Sequence, residues 1–189
     1  MRVLGLLSGA MVALVLGSVT LAAASPTASL PSAESDLLHR RLMLDGIVEW
    51  TPSSQHWREL PPTTKPANVT VLHLWSPRCV PCVAELPLLK RMVAAWRSEP
   101  AVRFLLVADF VEEDDGSELL SFLASPKVQS WPSPVLRLRD GRLRESLGVM
   151  VQPLTLILDE QRVVRQVFVG PLVGRSVGSA VGRLLGVVR

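Results

Sequence analysis

The chain has 189 residues, of which 48% are hydrophobic and 20% charged, and a formal net charge of +3 at pH 7. That balance excludes a disordered or collagen-like chain, and the charges spread densely beyond Glu34 exclude a polytopic membrane protein. The cationic surplus is too small and too scattered for a nucleic-acid-binding surface, so no nucleic-acid partner is expected.

Arg2 is the one charge before Glu34, and positions 3–24 carry none. A positive start, an apolar run and Ala22-Ala23-Ala24 ahead of Ser25 match a secretory signal peptide with a small-residue cleavage site. The run also reaches the length of about 20 residues that spans a bilayer, so an uncleaved anchor and N-terminal membrane tether is the other reading. Glycines and serines dilute the run and favour cleavage. No cysteine follows it, which excludes a lipoprotein anchor. Either way the rest of the chain is expected outside the cytoplasm, in a periplasmic setting where thiols meet oxidants. The expected division is 1–24 signal peptide or anchor, 25–45 linker and short helix, and 46–189 globular domain.

Residues 34–44 suit a short helix with Leu37, Leu38, Leu42 and Met43 on its apolar side, and 47–50 a first short strand. Residues 51–66 hold four prolines and read as loop with at most one helical turn. The run VTVLHLW at 69–75 has the composition of a buried strand. Residues 80–97 place Leu86, Leu89, Val93 and Trp96 at helical spacing, with Pro87 expected to kink the helix. A second buried strand is expected at 102–108 and a short helix at 116–124, with acids at 112–115 favoured before its N-terminus. A strand at 135–139 ends in the turn pair Asp140-Gly141. Residues 154–158 and 162–169 read as a hairpin, and 172–188 as a last amphipathic helix. Gly170, Gly174, Gly178, Gly182 and Gly186 recur every fourth position, which is read as close packing of that helix on the sheet. The element order predicts an α/β fold. Its central mixed sheet has a parallel βαβ half, a C-terminal antiparallel hairpin and helices on both faces.

The chain contains two cysteines, in Cys79-Val80-Pro81-Cys82. Cys79 falls where a strand hands over to a helix, so unsatisfied backbone N–H groups and the helix dipole are expected to stabilise its thiolate. Arg78 adds positive potential beside it. Cys82, one turn further in, is expected to be more buried, which separates an attacking thiol from a resolving one. Pro81 is tolerated in the first helical turn because its missing N–H has no partner there. A structural disulfide gains little from so short a ring. A metal site would need ligands beyond two thiolates, and His39, His56 and His73 fall at no standard spacing. Redox chemistry is the leading reading, with no metal and no cofactor beyond a redox-active Cys79–Cys82 disulfide.

The run Leu74-Trp75-Ser76-Pro77-Arg78-Cys79-Val80-Pro81-Cys82, followed by Glu85-Leu86-Pro87, resembles the active site of the TlpA/ResA/DsbE group. These are extracytoplasmic thioredoxin-fold thiol–disulfide oxidoreductases of bacteria. The stretch GVMVQPLTLILD at 148–159 is similar to the group's proline-containing strand. The resemblance covers about 46–189 and implies a thioredoxin-like domain there. It implies that Pro153 is cis and faces the dithiol, that Glu85 assists proton transfer, and that Trp75, Arg78, Gln152 and Pro153 meet the substrate. Three positions depart from the pattern. Arg78 stands where the group usually has Trp, Leu154 where it has Thr, and His73 where it often has Asn and thioredoxins have a buried Asp. His73 is accordingly a candidate proton partner.

The expected function is a thiol–disulfide oxidoreductase, a monomer that reduces disulfide-bearing exported proteins, with apocytochrome c in cytochrome c maturation among the substrates the resemblance implies. Electrons would come from a membrane thiol carrier. A thioredoxin-fold module holding copper or another soft metal between the same two cysteines is the alternative. A peroxidase is disfavoured because Leu72 stands where its motif requires proline.

Overall fold

The computed structural model describes residues 31–60, 67–109, 116–126, 128, 131, 134–148, 151–172 and 174–187. The expected signal or anchor segment 1–24 and the acidic run 112–115 lie outside these residues. Among the described residues no helix is long and apolar enough to cross a membrane.

The described residues form one sheet of seven strands: β1 (Ile47–Thr51), β2 (His56–Glu59), β3 (Val69–Trp75), β4 (Val102–Ala108), β5 (Leu136–Leu138), β6 (Leu154–Asp159) and β7 (Val164–Val169). Their spatial order is β2-β1-β5-β4-β3-β6-β7. β3, β4 and β5 run parallel to one another, whereas β6 joins β3 antiparallel and continues into β7 as a hairpin. This is the mixed sheet expected from the element order. All seven residues of β3 are buried. The strand has a ladder on each edge and helices over each face, so it reads as a continuous apolar run rather than an alternation.

Alternation instead sorts β3 between two cores. Val69, Val71 and Trp75 face α2 (Val80–Ala95), α3 (Ser117–Ala124) and α5 (Gly174–Leu185), where they meet Cys82, Leu86, Leu89, Leu119 and Val181. Leu72 and Leu74 point the other way, into a layer with Leu37 from α1 (Pro31–Leu37) and Leu143 and Leu147 from α4 (Arg142–Leu147). Each such leucine stabilises the fold by about 1.5–3 kcal/mol when fully buried.

Several boundaries differ from expectation for identifiable reasons. The first helix ends at Leu37 rather than extending to 44. Beyond it the chain lies along β7, with His39 N–H bonded to Val164 O at 2.8 Å and Leu42 N–H to Arg162 O at 3.0 Å. Leu37 and Leu42 are buried, but Leu38 and Met43 are exposed.

The expected loop at 51–66 contains strand β2. Its HWRE sequence lacks apolar alternation because it is an exposed edge, held by β1 and by Trp57 packing on Trp50 at 5.3 Å. Gly116 adopts φ +92°, and a Cβ there would fall 2.5 Å from the Trp57 ring, so the start of α3 requires glycine. Helix α4 was hidden behind the Asp140-Gly141 turn. Asp140 Oδ1 accepts from the Arg142 N–H at 3.2 Å, Leu143 and Leu147 face the core, and Gly148 ends the helix at φ +66°.

The glycine periodicity of α5 is not explained by close packing at Gly178, where a Cβ would meet nothing within 4 Å.

Candidate active site

The turn from β3 into α2 is built from local hydrogen bonds. Ser76 O accepts from Cys79 N–H at 3.1 Å, and Ser76 Oγ accepts from Arg78 N–H at 3.2 Å. This places Cys79 at the N-cap of α2, with Pro81 in the first turn. Cys79 Sγ accepts the Cys82 N–H at 3.2 Å, taking up one of the donors a helix start leaves unpaired. The same donor and the helix dipole favour a negative charge on that sulfur once it is a thiolate. Cys79 and Cys82 form a disulfide with their Cα atoms 5.2 Å apart. Cys82 is 0% exposed while Cys79 is half-buried, so the two sulfurs differ in access.

One turn beyond Cys82 on the buried side of α2 lies Glu85. Its Oε2 accepts the Leu172 N–H at 2.8 Å, and its Oε1 faces Nε2 of His73 at 3.3 Å. Neither of those two facing atoms has another partner among the described residues. The opposite ring nitrogen, Nδ1 of His73, lies 2.8 Å from Thr155 Oγ1, its cross-strand neighbour on β6. Burial pushes the His73 pKa down to about 3, so the ring is neutral. Burial also raises the Glu85 pKa, against which the Leu172 N–H pulls downward.

The neutral imidazole satisfies either state of the carboxyl. A protonated Glu85 donates to Nε2 while Nδ1–H donates to Thr155. An ionised Glu85 accepts from Nε2–H while the Thr155 hydroxyl donates to Nδ1. The site can therefore hold or release one proton without breaking its contacts.

The rim is less uniform. Pro153 is buried and follows a cis peptide bond from Gln152. Leu154, the next residue, pairs with Leu74, which places Pro153 at the end of the sheet where the dithiol turn begins.

Arg78 is exposed but paired: Nε donates to both Glu118 oxygens at 3.0 Å and Nη2 to Oε2 at 2.6 Å. The Arg78 hydrogen bond holds the Glu118 carboxyl below its ordinary range. The positive potential expected beside Cys79 is therefore largely offset by a carboxylate on α3.

Trp75 is 1% exposed, stacked on Trp131 at 5.0 Å and tilted against Phe122 at 5.9 Å. The expected contact of Trp75 with substrate is corrected on this point. The indole points into the core beneath the turn because it falls on the α2 side of β3.

Three participants had no local signature. Thr155 meets His73 only through strand register. Asp109 and Arg144 form a buried ion pair across 35 residues of sequence. Among the described residues no cluster of three or more His, Cys, Asp or Glu side chains could hold a metal ion.

Comparison with known proteins bears on the fold. No established family profile matches the chain. It is 22% identical over 153 residues to sporulation thiol-disulfide oxidoreductase A of Bacillus subtilis (strain 168), covering 72% of this chain and 90% of that protein. The crystal structure of StoA from Bacillus subtilis superposes with a TM-score of 0.55 at 20% identity, over 71% of this chain and 96% of StoA. A putative thiol:disulfide interchange protein DsbE from Chlorobium tepidum gives 0.60 at 21% identity, over 79% and 99%. The fold is thioredoxin-like.

Proposed function

We propose that this chain, whose fold is thioredoxin-like, is a thiol–disulfide oxidoreductase similar to the TlpA/ResA/DsbE group and works outside the cytoplasm as a reductant of disulfides in exported proteins. The observation that carries this reading is the asymmetry of the dithiol. The accessible sulfur of Cys79 caps a helix, and the enclosed sulfur of Cys82 lies one turn from a carboxyl whose pKa is raised.

In the reduced state the Cys79 thiolate attacks one sulfur of a substrate disulfide. A Cys79–substrate disulfide forms and the second substrate sulfur leaves as a thiolate. Cys82 then gives its proton to Glu85, with His73 changing tautomer alongside, and attacks Cys79 Sγ. The Cys79–Cys82 disulfide forms, the first substrate sulfur departs, and two electrons have passed to the substrate. The backbone at Gln152 and Pro153 pairs with the extended substrate chain, and the Arg78–Glu118 pair borders the entry. A membrane thiol carrier returns the two electrons. Apocytochrome c before haem attachment is the substrate suggested by the sequence resemblance, and the chain acts as a monomer, exported by a signal peptide or tethered by residues 1–24.

The test is the reduction potential of the Cys79–Cys82 pair, titrated against a thiol buffer. A value near the thioredoxin end of the scale, about −270 mV, supports a reductant. A value near the oxidant end, about −120 mV, makes the chain a disulfide donor and overturns the proposed direction. Failure to form a reversible disulfide with retention of copper would favour a soft-metal module.

A further inference from the structure

Asp109 follows directly on β4 and is 4% exposed; Arg144 lies on α4 and is 8% exposed. Arg144 Nε donates to Asp109 Oδ2 at 2.9 Å, and its Nη2 donates to Oδ1. Such a bidentate pair still leaves lone pairs on the carboxylate. Gln152 fills one of them. Its Nε2 donates to Asp109 Oδ2 at 3.0 Å and lies 3.2 Å from the Asp109 backbone carbonyl. Asp109 is itself held by its own N–H, which donates to Trp75 O at 2.7 Å. One residue thus binds the end of β3, where the dithiol turn begins, to α4 and to the segment carrying Pro153.

We infer that the buried Asp109–Arg144 pair is a clamp that acts through Gln152, fixing the docking edge at Gln152 and Pro153 against the dithiol turn. The inference rests on the exchange reaction proposed above and adds positioning residues to it. Two observations favour positioning over mere stability. A buried ion pair is a weak source of stability, because desolvation offsets its attraction. And the β3–β6 ladder ends at Leu74 paired with Leu154, so it does not hold Gln152, whereas the amide bond to Asp109 does. Without the clamp this segment would leave its docking geometry part of the time, and apparent affinity for a chain that docks there falls with the competent fraction. A small disulfide that needs only Cys79 would not notice.

The experiment uses insulin as the protein disulfide, hydroxyethyl disulfide as the small one, and dithiothreitol as the reductant that regenerates the dithiol. Gln152→Met keeps the side-chain length and removes the donor to Asp109; it should raise the KM for insulin by about tenfold, the scale of a lost hydrogen bond to a charged group. The double variant Asp109→Leu with Arg144→Met replaces the ion pair by apolar groups. It should show the same rise, with kcat for insulin and the rate on hydroxyethyl disulfide within about twofold of the unaltered chain. A KM for insulin unchanged in Gln152→Met overturns the clamp. So does a double variant whose loss is equal on both substrates, since that places the effect at the sulfurs or in the fold. If the double variant does not fold, Gln152→Met, which leaves the ion pair in place, decides alone. An unaltered chain that reduces neither disulfide overturns the exchange reading itself, and the clamp with it.

Discussion

Nε2 of His73, on β3, lies 3.3 Å from a carboxylate oxygen of Glu85, one helical turn from Cys82 on α2, and both side chains are buried. Each group is shifted toward its neutral form by burial. An ion pair is thereby replaced by a neutral imidazole beside a carboxyl that can gain or lose one proton.

The Glu85 half of this relationship predicts a trade between activity and stability. Because its folded pKa is raised above 4.5, the folded chain keeps a proton that the unfolded chain has released. Stability is therefore full below about pH 4.5 and falls as pH rises through the folded pKa. Glu85→Gln retains an acceptor for the Leu172 N–H and removes the titration. It is expected to raise Tm at pH 7.5 and leave it nearly unchanged at pH 4. The same variant should slow release of the mixed disulfide by about 100-fold, the lower range for loss of a general base. Thermal melts at the two pH values and stopped-flow kinetics check both.

His73 has the opposite sign. Its pKa falls from 6.5 to about 3, so below pH 6.5 the unfolded chain takes a proton that the folded chain refuses. Its contribution is intact above pH 6.5 and is lost progressively down to about pH 3, by on the order of a few kcal/mol. His73→Gln should flatten the acid limb of a stability-against-pH curve measured by urea unfolding. An acid limb as steep as that of the unaltered chain would count against a buried neutral histidine.

The unequal exposure of the sulfurs predicts unequal chemistry. Alkylation of the reduced chain should modify Cys79 at least about tenfold faster than Cys82, as mapped by mass spectrometry. Cys82→Ser should accumulate a mixed disulfide with insulin, visible on a non-reducing gel, because nothing remains to resolve it. Cys79→Ser should form none.

Two glycines separate backbone need from chance. Gly116→Ala puts a methyl group against Trp57 at a positive φ and is expected to cost about 2–4 kcal/mol in denaturant unfolding. Gly178→Ala, in open space within α5, should stabilise by about 0.5–1 kcal/mol. Should Gly178→Ala destabilise instead, a packing role for the α5 glycines would be restored.

The local features were legible along the chain. β3 and β4 begin and end where their apolar runs do, and the cysteines sit at a helix start because a strand stops just before them and an amphipathic pattern follows. Edge strand β2 was not legible, since an exposed edge needs no apolar face. Helix α4 left faint marks in Leu143, Leu147 and Gly148, and six residues are too few for periodicity to outweigh a turn signal. The family resemblance implies a substrate contact for Trp75, but the alternation of β3 sends its ring inward.

By itself the sequence determined the reactive pair and its setting, because a cysteine at a helix start obtains its donors from residues within one turn. Only the tertiary structure decided what surrounds that pair. His73 meets Thr155 through the register of β3 against β6, and Glu85 through the packing of α2 on the sheet. Asp109 meets Arg144 and Gln152 because the end of β4, helix α4 and the segment before β6 converge at one end of the sheet. Hydrophobic periodicity says which way a side chain points, in or out. It does not say which distant residue waits there, since that depends on strand order and register, and these are settled by the packing of the whole chain.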